Sequence, residues 1–200
     1  LEAALRFLPL PLGLMPAAAN SDRLVARFGS NNVVATGLTL IAIGMLIFTT
    51  VTIDTDYNKL ALIFFLLGLG MGLTMAPSTT LVMDSIPADK AGVGSATNDT
   101  SREIGGALGI AIGGSVLNEY YQRNMNLPEG LEYLGDLPYD SFAAAVRIGG
   151  NLVSEGNLLG GQLIQNAQLA FIEGMVASAW VGAIIAITNA LLVWKFMPSK

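Results

Sequence analysis

Three runs of this chain carry no charge over a length that matches the hydrocarbon core of a bilayer. Val33–Ile53 holds 21 such residues, Leu60–Met83 holds 24 and Gly174–Trp194 holds 21. A helix of about 20 apolar residues crosses that core. In lipid every backbone N–H and C=O must find its partner within the protein, which leaves helices or closed barrels. Barrel strands alternate apolar and polar residues over roughly ten positions. These runs are continuous, so they predict helices and an all-α polytopic membrane bundle.

Composition supports this. Hydrophobic residues make up 52% of the 200 residues and charged residues 12%. A soluble domain carries about 25% charged residues, and half that density cannot coat a surface facing water. Two weaker apolar segments join the three runs. One is Phe7–Ala19; the other is the Gly-rich Ala91–Leu117, with charges near its start. The expected helices are thus 3–19, 33–53, 60–83, 91–117 and 171–196, with a long extracytoplasmic loop over 119–170. The chain opens on Leu1 within an apolar stretch, with no charged leader before it. Pro9, Pro11 and Pro16 argue against a signal peptide. The expectation is therefore a fragment whose N-terminal part is missing.

Charge placement predicts orientation. If the five segments alternate, Arg23, Arg27, Lys90, Lys195 and Lys200 fall on one side, while Asp54, Asp56 and Lys59 fall on the other. Short loops rich in Lys and Arg stay cytoplasmic, and long loops cross largely regardless of charge. The expectation is a multi-pass protein of the cytoplasmic membrane with its C-terminus in the cytoplasm. Trp194 beside Lys195 reads as an interfacial anchor.

The chain has no Cys and no His. That removes disulfides, thiolate nucleophiles, imidazole bases and the common zinc and haem ligands. A formal net charge of −5 disfavours nucleic acid as a partner. No metal, no cofactor and no covalent chemistry are expected. The stretch Gly68–Gly72, GLGMG, looks like a nucleotide loop only superficially: it lies inside an uncharged apolar run with no strand before it.

Small residues recur every four positions at Gly68, Gly72, Ala76 and Thr80, and again at Gly105, Gly109 and Gly113. Such stripes let helix backbones approach closely in lipid, either as tight packing or as surfaces that slide. Pro77 removes one helical hydrogen bond among Thr74, Ser78, Thr79 and Thr80. It marks a kink or a hinge whose hydroxyls line a cavity. The stretch Ser95–Glu103, SATNDTSRE, brings Asp99, Arg102 and Glu103 into an expected helix. Asp99 and Arg102 are three apart and can pair on one face. Charges at such depth face protein or water, either as a structural ion pair at the helix mouth or as functional groups. The polar cavity or gate candidates are Thr74, Ser78, Asn98 and Arg102.

Four stretches are similar to one known family. They are Asp22–Asn32 (DRLVARFGSNN), Gly68–Leu117, Ala170–Ile184 (AFIEGMVASAWVGAI) and the long loop before the last run. Together they resemble the C-terminal part of the major facilitator superfamily, in its fourteen-helix drug:proton antiporter branch. Asp22–Asn32 resembles the repeated cytoplasmic loop motif, carried here by Arg27 and Gly29. Ala26 stands where an acid commonly precedes the Arg-x-Gly, and Asn31 and Asn32 replace the usual basic residues. The resemblance implies that 1–200 is a partial C-terminal transmembrane bundle, the last five helices of a larger one, whose partner is an N-terminal bundle of the same chain, and it implies proton-coupled efflux of amphipathic compounds by alternating access. It also implies that the principal proton-coupling acids lie mostly in the N-terminal half. Two other readings are a sugar or metabolite facilitator of the same superfamily and a non-transporting membrane scaffold.

Overall fold

A computed structural model describes residues 5–197. The start of the first expected segment, at residue 3, and Lys200 lie outside the described residues. The described part is built from six α-helices: α1 (Pro9–Phe28), α2 (Ser30–Phe48), α3 (Tyr57–Asp84), α4 (Ala91–Asn124), α5 (Phe142–Ser154) and α6 (Leu159–Phe196). Among them α2, α3 and α6 are long and apolar enough to cross a membrane. Helices α1 and α4, at 20 and 34 residues, have the length but are diluted by polar side chains. The chain forms two compact units. One comprises Leu1–Phe48, Thr55–Ile110 and Trp180–Lys200; the other comprises Thr49–Asp54 and Ala111–Ala179.

In the first unit α3 packs between α1 and α2 through glycines. A Cβ added at Gly68 would collide with the Leu10 carbonyl oxygen, and one at Gly72 would lie 2.5 Å from that of Leu14. Gly13 on α1 answers from the other side, against the backbone of Phe65 and Leu69. Gly70 turns instead to α2, where its Cβ would lie 2.5 Å from the Gly37 carbonyl oxygen. Only residues without a Cβ allow backbones this close, and lipid supplies no hydrophobic drive to replace such packing. The register gives direction. Leu10 meets Gly68 and Leu14 meets Gly72, so α1 and α3 run parallel. Gly37 meets Gly70 while Gly44 meets Leu67, so α2 runs antiparallel to them.

Helix boundaries differ from the sequence expectation in an instructive way. Helix α1 continues through Asn20–Phe28, and the connection to α2 shrinks to Gly29, whose φ of 82° is open to a residue without a Cβ. Apolar-run length measures the part of a helix that suits lipid, whereas a helix emerging into water keeps its hydrogen bonds and continues. Helix α2 stops at Phe48, before the Thr49–Ile53 run of five β-branched residues, which are poor helix formers.

The largest difference lies in the expected long loop over 119–170. It holds the end of α4, two short 3-10 turns (Glu132–Leu134 and Leu137–Tyr139), α5 and the start of α6. These enclose a core of Tyr121, Met125, Leu131, Ala145, Leu152, Leu163, Ala167 and Ala170. Phe142 stacks on Phe171 with ring centroids 4.7 Å apart. Helix α5 starts where the Ser141 hydroxyl accepts from the Ala144 N–H at 3.1 Å. It crosses α6 where Gly149 meets Gly160, each against the other's carbonyl oxygen. The segment escapes a hydropathy reading because its apolar residues are spaced along short amphipathic helices rather than gathered in one run.

The Tyr121 hydroxyl donates to the Pro138 carbonyl at 2.8 Å in this core. Tyr121→Phe should lower stability by about 1 kcal/mol, a typical net value for one hydrogen bond. Thermal unfolding of the full-length protein in detergent reads the change. Burial pushes the Tyr121 pKa above its ordinary value of 10.0. The contribution is therefore complete below 10 and fades as pH rises through the elevated folded value.

Candidate functional site

A cavity of about 380 Å³ in the first unit is lined by residues of α1, α3 and α4. Helix α1 contributes Leu14 and Ala18, and α4 contributes Arg102. Helix α3 contributes two adjacent rows at helical spacing: Met71, Met75 and Thr79, and Gly72, Ala76 and Thr80. The Gly72 row lets α1 close one wall, by the backbone approach described above. The Met row supplies flexible, polarisable side chains that adapt to irregular apolar shapes.

The polar groups of the cavity are few. The Thr79 hydroxyl donates to the Met75 carbonyl at 3.0 Å and that of Thr80 to the Ala76 carbonyl at 3.2 Å. Each spends its proton one turn back on its own helix and keeps acceptor capacity. Arg102 lies eleven residues into α4, about 17 Å along its axis at 1.5 Å per residue. Among the described residues no salt bridge joins it to Asp99 or to any other acid. The cavity thus combines apolar walls, hydroxyl acceptors and one cation without a carboxylate partner, a set that suits an amphipathic guest.

The structure distributes the sequence candidates unevenly. Arg102 and Gly72 line the cavity. Thr74 is at the α2–α3 interface instead: its hydroxyl donates to the Gly70 carbonyl at 2.7 Å and faces Gly37. Ser78 and Asn98 are half-buried and are not among the cavity residues. Gly68 holds α1 against α3 one turn from Gly72. Gly105, Gly109 and Gly113 meet no atom within 4 Å of an added Cβ, although the Gly113 carbonyl accepts from the Ser178 hydroxyl at 2.6 Å. Arg27 sits at the end of α1 with its guanidinium carbon 5.3 Å from the Phe28 ring centroid, and Gly29 makes the turn that follows. Sequence reading placed Thr79 and Thr80 among the hydroxyls of a cavity beside Pro77 without making them candidates, and passed over the two methionines. Their signal was the second four-residue row, Met71–Met75–Thr79, which parallels the small-residue row.

The sequence of the chain is matched by known proteins. The Major Facilitator Superfamily family model matches residues 1–110. The chain belongs to the major facilitator superfamily. Among curated relatives it is 29% identical to the multidrug efflux pump LfrA of Mycolicibacterium smegmatis over 96% of the chain. It is 26% identical to the multidrug resistance protein Stp of Mycobacterium tuberculosis over 97% of the chain. It is 30% identical to the multidrug transporter protein MdtP of Bacillus subtilis over 70% of the chain. The alignments cover 38%, 37% and 26% of those proteins. The chain is therefore a major facilitator sequence of the multi-pass, all-α membrane class, spanning a minor part of the length of these relatives.

Proposed function

We propose that this chain is the C-terminal part of a secondary active transporter that exports drugs or other amphipathic compounds. An N-terminal bundle of the same chain completes the pathway. Transport proceeds by alternating access, one bundle rocking against the other around a central cavity. The proton gradient drives it, and the C-terminus lies in the cytoplasm. The observation that carries this reading is the unpaired Arg102 on a cavity of methionine, glycine and threonine. The names of the relatives support efflux as the direction.

Each residue has a task in this reading. Arg102 attracts an acceptor or anionic group of the guest, or holds a carboxylate across the gate. Met71 and Met75 form an adaptable apolar wall, and Thr79 and Thr80 offer acceptors. Gly68 and Gly72 keep α1 and α3 together as one rigid body while the bundle moves. Ser78 and Asn98 are proposed to line the pathway at other stages of the cycle. Gly105, Gly109 and Gly113 are proposed as the contact face for helices of the other bundle.

The test is export by the full-length protein in inside-out vesicles with an imposed pH gradient. Arg102→Ala should cut export by about tenfold, the scale of one lost charge-assisted hydrogen bond. Membrane insertion should be unchanged, and Arg102→Lys should keep part of the activity. Normal export by Arg102→Ala would remove the gate assignment. Equal export with and without the pH gradient would remove proton coupling.

A further inference from the structure

The first unit contains a second, larger cavity of about 710 Å³. It lies on another face of the helices, with Leu24 and Phe28 from the end of α1, Leu40 from α2, Leu73 from α3, and Leu191 and Trp194 from the end of α6. The polar residues on its wall each donate to a backbone carbonyl four residues earlier in the chain. Asn32 donates to the Phe28 carbonyl at 2.9 Å, Thr36 to that of Asn32 at 2.7 Å and Thr39 to that of Ala35 at 2.7 Å. The interior is therefore apolar in chemistry as well as in composition, and it offers few hydrogen-bond donors to a polar guest.

Two cations, Arg27 and Lys195, adjoin wall residues, although neither lines the cavity itself. The Arg27 guanidinium carbon stands 5.3 Å from the ring centroid of Phe28, itself a wall residue. Lys195 follows Trp194 and lies four residues from Leu191, on the same side of α6. Its ammonium stands 5.3 Å from the Phe196 ring centroid. Among the described residues no salt bridge pairs either cation with an acid. Trp194 is 64% exposed, and tryptophan favours the boundary between hydrocarbon and headgroups. The cavity is thus an oily pocket at one end of these helices, with two cations next to its wall residues and, among the described residues, no salt bridge from either to an acid.

We propose that this cavity binds an anionic phospholipid. One acyl chain lies against Leu24, Leu40, Leu73 and Leu191, and the phosphate sits between Arg27 and Lys195. Trp194 beside Lys195 favours the headgroup boundary, where a bilayer presents such molecules. The volume lies within the roughly 300–1,000 Å³ of ordinary ligand pockets, and a juxtamembrane cation attracts anionic headgroups. The site is separate from the Arg102 cavity and does not depend on what that cavity transports.

The experiment uses the full-length protein in nanodiscs containing equal amounts of phosphatidylglycerol and phosphatidylcholine. Native mass spectrometry then reads which lipid stays bound on release. Phosphatidylglycerol should be retained in preference. Arg27→Gln and Lys195→Gln should each reduce that preference by about fivefold, the factor for one cation near an anionic surface, without removing bound lipid altogether. Thr36→Trp, which puts an indole in the cavity, should lose both lipids. The proposal is overturned if the preference survives both glutamine variants, or if the tryptophan variant retains lipid like the parent. It is also overturned if the parent holds neither lipid, because another part of the protein then fills the cavity. Should Thr36→Trp fail to fold, the two glutamine variants at exposed positions decide the question.

Discussion

Replacing Gly68 with leucine is expected to strip the full-length protein from the membrane fraction. The new Cβ would overlap the Leu10 carbonyl oxygen, and Leu14 stands one turn further along the same face. Both obstacles are backbone, so no rotamer change relieves them. Overpacking in a filled interior typically costs about 1–3 kcal/mol, and here three further carbons follow the Cβ. Helices α1 and α3 would have to separate, and neither has a hydrophobic reason to meet again in lipid. Gly161→Ala is the control, because no atom lies within 4 Å of a Cβ there. Fluorescence-detected size exclusion reads both variants. A Gly68→Leu protein as abundant and monodisperse as the parent would mean that the two helices do not approach this closely.

Leu163→Ala should open the connection between α4 and α6. Leu163 has no exposed surface and sits in the core with Tyr121, Leu131 and Ala167. Truncating a fully buried leucine costs about 2–5 kcal/mol in transfer and cavity terms. Near 3 kcal/mol, the locally open population rises on the order of a hundredfold. Trypsin cleavage after Arg147, an exposed residue within α5, follows that population and should accelerate by a similar factor. Leu158→Ala, at a residue 88% exposed, should leave the rate unchanged. If Leu163→Ala is cut no faster than the parent, the connection is not held by this core.

Much of the candidate site could be read in advance, and its gaps have physical causes. Arg102 drew attention because a charge within an apolar helix is costly and faces protein or water. Gly72 drew attention through its spacing. Both line the same cavity. Thr74 was grouped with them because a hydroxyl beside a helical proline suits a cavity wall. The rotation of α3 instead turns it to α2, where Gly37 leaves room for it. A residue's neighbours along a helix constrain its face, but which partner occupies that face depends on a distant segment.

The glycines carry the same lesson. Gly68, Gly72, Gly105 and Gly109 have one spacing and one composition, yet the first two lock α1 to α3 while the other two meet open space. Gly37 stands in no four-residue stripe of small residues and still makes a close contact, 2.8 Å from its added Cβ to the Gly70 carbonyl oxygen. Close approach is a property of two backbones, so a pattern on one of them describes the opportunity and not the event.

From the sequence alone came the class of the molecule. Uncharged runs of 21, 24 and 21 residues must hydrogen-bond internally in lipid, and that demand is local to each run. The motifs that resemble the superfamily are likewise contiguous. Only the tertiary structure decided the pairing of α3 with two neighbours, the core inside an apparent loop and the cavity beneath Arg102. Each of these joins residues far apart in the chain, and the free energy that selects them comes from packing and backbone proximity, which no single segment contains.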